Sequence, residues 1–207
     1  MANSSGLQPQ SLQEIAEYHQ DAGDSLRGFF SPLAVRVNVR YLFSTEAELS
    51  TILAMRLAET ELRSCFAILS LIEAVLRVDY ATRCSARLKD PLSRDFRNLF
   101  KRYGNRISFE EDILRLWSEH HPELKREIGE LRGAFRFRHW LAHGRYWAPK
   151  LGRKYDFTEV FLLAVFIKKT FRWSAAKIAA KVLAYTHKVA STEAKRTLCP
   201  PHHARSI

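Results

Sequence analysis

Residues 45–87 read TEAELSTILAMRLAETELRSCFAILSLIEAVLRVDYATRCSAR, without a single Gly or Pro. Thr45 followed three residues later by Glu48 is the capping-box pattern, in which each side chain accepts a hydrogen bond from the other residue's backbone. A continuous helix over this range would extend about 64 Å. The sequence therefore predicts one long helix, with or without a bend, as the element around which the other helices pack.

One face of this predicted helix is apolar, because large side chains recur at intervals of three and four residues. The row comprises Leu62, Phe66, Leu69, Glu73, Leu76 and Tyr80. Glu73 is the exception, since a carboxylate in an apolar row is costly unless it has a partner. We therefore expect Glu73 to meet a basic side chain from another helix.

Capping residues and breakers predict several shorter helices downstream. The predicted ranges are 91–104 after Asp90, 108–119 from the Ser108/Glu111 capping box, 122–144 from Pro122 to Gly144, 156–171 capped by Asp156 or Thr158, and 174–190 from Ser174. Together with residues 45–87 they predict an all-α bundle of four to five core helices over residues 45–190.

The two ends of the chain carry weaker patterns. Residues 11–22 predict a short helix that ends near Gly23, and residues 33–43 alternate β-branched and basic side chains, which favours an extended arm or a loop. Residues 1–44 are therefore interpreted as an N-terminal extension. Residues 191–207 are basic and contain Pro and His, which predicts a flexible tail.

Composition narrows the class of protein. The 207 residues include 33 Lys and Arg against 22 Asp and Glu, a net charge of +11, which favours a polyanionic partner such as nucleic acid, with simple solubility as the alternative. The three Cys are scattered, as expected in a reducing cytoplasm without a disulfide scaffold. The sequence has neither a long uncharged apolar run nor a signal-peptide pattern, so we expect no membrane anchor.

Residues 135–147, FRFRHWLAHGRYW, concentrate Arg, His and aromatic side chains. Arg138 falls in the apolar row of its own helix, which makes Glu73 its plausible partner. His139 and His143 are four residues apart and share a face, whereas His143 lies about 140° around the helix from Arg138. The apolar row that contains Arg138 is Leu124, Ile128, Leu131, Phe135, Arg138 and Ala142.

The segment from Arg138 to His143 resembles the signature of the HEPN superfamily, which is an Arg, four to six residues and a His, with a polar residue directly after the Arg. His139 is that polar residue here, and Ala-His-Gly closes the motif as in many members. An early helix with Glu73 ahead of Leu76-Arg77 is also similar, and the resemblance covers residues 45–190. One branch has Tyr two residues after the His; Arg145 stands there in this chain, which is not assigned to that branch.

The resemblance implies a metal-independent endoribonuclease that needs no cofactor. In such families Arg and His residues from two protomers meet at a homodimer interface, and a ribose 2′-OH attacks the adjacent phosphate. His143 would then transfer the proton and Arg138 would stabilise the phosphorane, with His139 as a polarising residue and Glu73 as an orienting one. A toxin-like or antiviral-defence role, with a neutralising or defence-system partner, is also implied.

The loop after the motif predicts an RNA-binding surface, because cations suit phosphates and aromatic rings suit unpaired bases. Its candidate residues are Arg145, Tyr146, Trp147, Lys150, Arg153 and Lys154. The alternative is that Tyr146 and Trp147 only cover the end of the bundle.

Three other interpretations compete with catalysis. Arg138 and Glu73 could be a purely structural pair, and the same fold could serve as a non-catalytic module that binds RNA or a protein. His139 and His143 have the spacing of two zinc ligands but lack a clear third. Residues 158–190 could form a helix-turn-helix that reads DNA, although the helix before Arg172 is very apolar for that role.

Overall fold

The structure, a computed structural model, describes residues 10–35, 38–85, 88–104 and 106–170. Helices account for most of this part of the chain, which includes no β-strand, so the predicted all-α class is confirmed. The helices are α1 (Leu12–Phe29), α2 (Pro32–Val35), α3 (Glu46–Ser85), α4 (Pro91–Tyr103), α5 (Arg115–His120), α6 (Lys125–Ala142) and α7 (Phe157–Thr170). The predicted helix over 174–190 and the tail over 191–207 lie outside the described residues.

The long helix α3 is the centre of the bundle and packs against α1, α4, α6 and α7. It begins with the predicted capping box: the Thr45 amide donates to Glu48 Oε2 at 2.8 Å, and the Glu48 amide donates to Thr45 Oγ1 at 3.3 Å. Its buried side chains begin at Ser64, and no side chain between residues 46 and 63 is buried. They are Ser64, Cys65, Ile68, Leu69, Ile72, Leu76 and Tyr80.

The buried face of α3 is rotated relative to the predicted row. Leu69, Leu76 and Tyr80 are buried as expected, but Leu62 and Phe66 are only partly buried. The difference arises because helices on both sides of α3 cover it, which brings further positions into the core. The last predicted member of the α6 row, Ala142, is exposed, because it ends the helix beyond the packed region.

The predicted N-terminal helix is present, but its predicted end is wrong. Helix α1 does not stop near Gly23 but continues to Phe29. Gly23 is buried and follows Ile15 and His19 at intervals of four, on the face where His19 Nδ1 lies 3.0 Å from Ser64 Oγ of α3. A Cβ there would already lie 3.1 Å from the Arg27 guanidinium.

The predicted extended arm over residues 33–43 is replaced, in its described part, by the end of α2 and a 3₁₀ turn over Val39–Tyr41. Alternation alone cannot make a strand without a neighbouring strand to pair with. Here the Tyr41 ring instead packs 5.3 Å from that of Phe30, which turns the chain back toward the end of α1.

The shorter predicted helices are present with local differences. Asp90 caps α4 and Asp156, rather than Thr158, caps α7 by accepting from the Glu159 amide at 2.9 Å. The helix predicted after Ser108 begins with a π-helical turn (Phe109–Leu114), and the Ser108 amide donates to Asp112 instead of Glu111. Pro122 opens a 3₁₀ turn over Pro122–Leu124 that leads into α6.

The described residues contain no helix that is both long enough and apolar enough to cross a membrane. Cys65 and Cys84 are free thiols, and burial raises the pKa of Cys65 to about 12, so that this thiol stays protonated at neutral pH.

Two glycines of α6 provide a test of how the following loop is anchored. A Cβ at Gly133 would overlap the Tyr155 hydroxyl, whereas one at Gly129 would meet no atom within 4 Å. Because Tyr155 is stacked on Phe137 with ring centroids 5.5 Å apart, it has little room to move. We expect Gly133→Ala to lower the free energy of unfolding by about 1–3 kcal/mol.

The matched control, Gly129→Ala, should raise that free energy by about 0.5–1 kcal/mol, because Ala is the better helix former. Urea denaturation measures both values. Equal stabilisation by the two substitutions would mean that Tyr155 does not hold the loop against α6.

Candidate active site at the end of helix α6

The predicted contact between Arg138 and Glu73 is present and joins α6 to α3. Arg138 Nη2 lies 3.1 Å from Glu73 Oε2, with 30% of the Arg138 side chain and 17% of the Glu73 side chain exposed. Arg77, one turn further along α3, binds the other carboxylate oxygen at 2.8 Å. Glu73 therefore pairs with two guanidinium groups, of which sequence analysis identified one, and the three side chains together keep a charge of +1.

A second contact fixes the Arg138 guanidinium over α3. Its central carbon lies 5.4 Å from the centroid of the Phe66 ring, two turns before Glu73 on the same helix. The Arg138 Nε atom is buried and forms no hydrogen bond among the described residues. Because the guanidinium has five N–H donors, the bond from Nη2 leaves others available to an anion at the partly exposed edge.

The two His of the motif lie together at the end of α6. The His139 and His143 ring centroids are 4.1 Å apart and the rings are tilted by 51°, as their four-residue spacing predicts. Both residues are exposed, whereas Arg138 faces α3. The structure thus presents the guanidinium and the imidazoles on separate faces of α6, as the 140° offset requires.

The chain leaves α6 through a tight turn. The His143 amide completes the helix by donating to the His139 carbonyl at 3.1 Å, and the Arg145 amide donates to the Trp140 carbonyl at 3.3 Å, which is the longer-range bond of a Schellman motif. Gly144 has φ +80°, and Arg145 follows with φ +59°, a conformation uncommon for a residue with a side chain. This turn sets the direction in which the loop departs from His143.

The Arg145 side chain explains how that conformation is held. Its Nη1 lies 2.6 Å from Glu59 Oε2 on α3, and Glu59 also binds Arg63 at 3.0 Å. The hydrogen bond from Arg145 is the main reason that the pKa of Glu59 lies below its usual value. Trp140 adds a second tie, since its Nε1 donates to the Trp147 carbonyl at 2.7 Å.

In the rest of the predicted RNA-binding loop, some side chains already have partners within the protein and others are exposed. Arg153 binds Glu159 at 3.0 Å, so that it, like Arg145, already has a carboxylate partner. Lys150 and Lys154 are exposed, and Tyr146 has 83% of its surface exposed. Trp147 is half-buried, and Tyr146 packs against the edge of its ring at 4.6 Å. Two cations and one aromatic ring are thus directly available to a ligand.

Sequence analysis missed Glu110, which lies in the π-helical turn near the motif. Burial raises the pKa of Glu110 and the neighbouring Glu111 adds to the effect, while Arg132, Arg136 and His139 oppose it. The Arg132 guanidinium donates to the Glu110 carbonyl at 3.2 Å. A carboxyl group with a raised pKa that interacts electrostatically with His139 is a further candidate for proton transfer. No sequence signal indicated it, because tertiary packing alone brings Glu110 near His139.

A zinc site at His139 and His143 would need further ligands. Within the described ranges, no group of three or more His, Cys, Asp or Glu side chains is arranged to hold a metal ion.

Comparisons of the chain with protein-family models, with curated proteins and with solved structures find no match. The protein is therefore described by its fold and site alone. It is an all-α bundle in which an Arg paired with a carboxylate and an exposed pair of His lie at the end of one helix.

Proposed function

We propose that this protein is a metal-independent endoribonuclease of the HEPN type. The observation that carries the proposal is the arrangement at the end of α6, where Glu73 holds the Arg138 guanidinium on one face of the helix and the pair His139 and His143 is exposed on another. A fixed fork of donors suits a phosphorane, and imidazole is the side chain best suited to move protons near neutral pH. The net charge of +11 favours a polyanionic substrate.

In the proposed reaction the 2′-oxygen of a ribose attacks the adjacent phosphorus and its proton passes to an imidazole. The bond from phosphorus to the 5′-oxygen of the next nucleotide then breaks, and that oxygen receives a proton. The products are a 2′,3′-cyclic phosphate and a 5′-OH end. We assign the proton transfer to His143, with His139 polarising it, and the charge stabilisation to Arg138. Glu73 is a positioning residue, because it acts through Arg138.

A homodimer completes this proposal. Arg138 and His143 face different directions in one chain, and a two-fold axis near the end of α6 would bring the groups of two protomers to one substrate. We further propose a toxin-like or antiviral-defence role in the cytoplasm, with a neutralising or defence-system protein as the additional partner.

The proposal predicts cleavage of RNA in the presence of EDTA. Purified protein incubated with total RNA should leave cyclic phosphate and 5′-OH ends, and a 2′-O-methyl group at the cleaved position should prevent the cut, because it removes the nucleophile. Mapping the ends of the fragments measures both results. A requirement for a divalent metal, or cleavage of the methylated RNA, would contradict the mechanism.

The second candidate is a non-catalytic module that binds RNA or a protein, and the ion pairs favour it. Arg138, Arg145 and Arg153 each already bind a carboxylate, as structural residues would. Binding of RNA without cleavage under all of these conditions would support this candidate. The helix-turn-helix alternative depends on residues up to 190, and its second helix lies outside the described residues.

A further inference from the structure

Helix α4 carries a row of cations on its outer face. Arg94, Arg97 and Lys101 follow one another at intervals of three and four residues, which places them within an arc of about 60°, and Arg102 lies about 80° from Arg94 on the side away from Arg97. Arg94, Lys101 and Arg102 are exposed and Arg97 is half-buried. The opposite face of the helix, with Leu92 and Phe96, is buried in the core.

The acidic residues of this segment do not neutralise the row. Asp90 caps α4 and binds Arg83 at 3.3 Å, and Asp95 binds His120 Nε2 at 2.8 Å. Among the ion pairs of the described residues, none involves a member of the row. The four cations therefore act together on a ligand, and an anion need not displace a carboxylate to reach them.

Two of the guanidinium groups are held in place by backbone oxygens instead. Arg94 Nε donates to the Lys89 carbonyl at 3.0 Å, and Arg97 Nη1 donates to the Leu88 carbonyl at 2.7 Å. Each bond uses one of five donors, so the remaining donors stay free for phosphate oxygens.

Aromatic side chains lie at the C-terminal end of the same helix. Phe100 has 46% of its surface exposed and lies about 60° around the helix from Arg97, whereas Tyr103, with 55% exposed, lies about 180° from Arg94. Exposed rings next to a row of cations are what a single-stranded nucleic acid needs, since the cations contact the backbone and the rings stack on bases. A membrane-surface helix would instead need a continuous free apolar face, and that of α4 is occupied by the core.

We propose that the outer face of α4 is a second RNA-binding surface, which holds the sugar–phosphate backbone along Arg94, Arg97, Lys101 and Arg102 and stacks an unpaired base on Phe100. This inference rests on the proposed function for the identity of the polyanion. It assigns the principal binding charge to α4 rather than to the loop over residues 145–154, where Arg145 and Arg153 are bound to carboxylates.

The test compares two variants of equal net charge in the full chain. In one, Arg94, Lys101 and Arg102 are each changed to Gln. In the control, Arg56, Lys168 and Lys169 are changed to Gln. Arg56 lies about 36 Å along α3 from Tyr80, a residue of α3 that contacts α4. Lys168 and Lys169 belong to α7, which packs against α3 and α6. Binding of an uncleavable, single-stranded 2′-O-methyl RNA is measured by fluorescence anisotropy at several salt concentrations.

In the α4 variant, the slope of log affinity against log salt concentration should become less steep by about 2, because each of the three lost phosphate contacts contributes about 0.7 for a single strand. The control should keep the slope of the native protein. A further variant, Phe100→Ala, should bind single-stranded RNA at least about fivefold more weakly and leave duplex binding unchanged. Circular dichroism verifies that each variant is folded.

Equal loss of slope in the two charge variants would overturn the proposal, because net charge alone would then explain binding. Retained RNA affinity in the α4 variant, together with lost binding to vesicles of anionic lipid, would overturn it in favour of a membrane surface. The test distinguishes failure of this proposal from failure of the proposed function. RNA binding through α4 without cleavage would reject the proposed enzyme. Cleavage with an unchanged Michaelis constant in the α4 variant would reject only the second surface.

Discussion

Replacing His143 by Ala is expected to lower the rate of RNA cleavage by about 10²–10⁴-fold, the usual contribution of a positioned acid–base group. The His143 side chain is exposed and its amide, not its ring, forms the helix-ending hydrogen bond to His139. The free energy of unfolding should therefore change by no more than about 0.5 kcal/mol, as for other surface substitutions. Single-turnover cleavage of a short RNA, with urea denaturation beside it, measures the two effects.

His121→Ala is the matched control for this substitution. His121 is also at the end of a helix and also contacts a neighbouring side chain, Glu123 at 3.0 Å, but it belongs to the end of α5. The His121→Ala variant should cleave RNA at the native rate. Native activity in His143→Ala would remove this residue from the mechanism, and His139 or Glu110 would then have to transfer the proton.

Replacing Arg138 by Ala is expected to lower the cleavage rate by about 10²–10³-fold, the range found when one stabilising donor of an oxyanion is removed. Lys at this position should not restore the rate, because a single ammonium group cannot bind Glu73 and a phosphate with the geometry of a planar fork. The exposed neighbour Arg136, changed to Ala, serves as the control and should leave the chemical step unchanged.

The ion pair of Arg138 with Glu73 also contributes to stability, so a stability measurement can be compared with the cleavage rate to separate a structural role of Arg138 from a catalytic one. Removing Glu73 leaves Arg138 and Arg77 without their shared carboxylate, and we expect the free energy of unfolding to fall by about 1–2 kcal/mol, between the values for exposed and buried pairs. A double-mutant cycle over Glu73 and Arg138 measures the coupling. If folded Arg138→Ala cleaves RNA at the native rate and only its stability falls, the pair is structural and the mechanism needs another donor.

Several features of the bundle were predictable because they depend on neighbours along the chain. The capping box at Thr45 and the caps at Asp90 and Asp156 are contacts over three residues, and each marks the start of a helix in the structure. The His139–His143 contact follows in the same way from one turn of helix. Local hydrogen bonds and helical spacing are properties that a sequence carries directly.

The errors arise where a local pattern was outweighed by distant contacts. Gly23 resembles a helix stop, but in the structure it lies on the face of α1 that packs against α3, and the helix continues. Residues 33–43 resemble a strand, but strand formation needs a pairing partner, and the described part of this segment has aromatic contacts to α1 instead.

The composition and periodicity of the sequence by themselves determined the helical class, most helix starts and the pairing of Glu73 with Arg138, since a charged residue in each of two apolar rows leaves few other solutions. Only the tertiary structure decided which cations remain available. In the folded chain Arg145 pairs with Glu59, which is 86 residues away, and Arg153 pairs with Glu159. The fold also brings Glu110 near enough to His139 for their charges to interact, and it leaves the row on α4 without a carboxylate partner. The reason is that an ion pair depends on distance in space, which the folding of separate helices sets and which spacing along one helix does not encode.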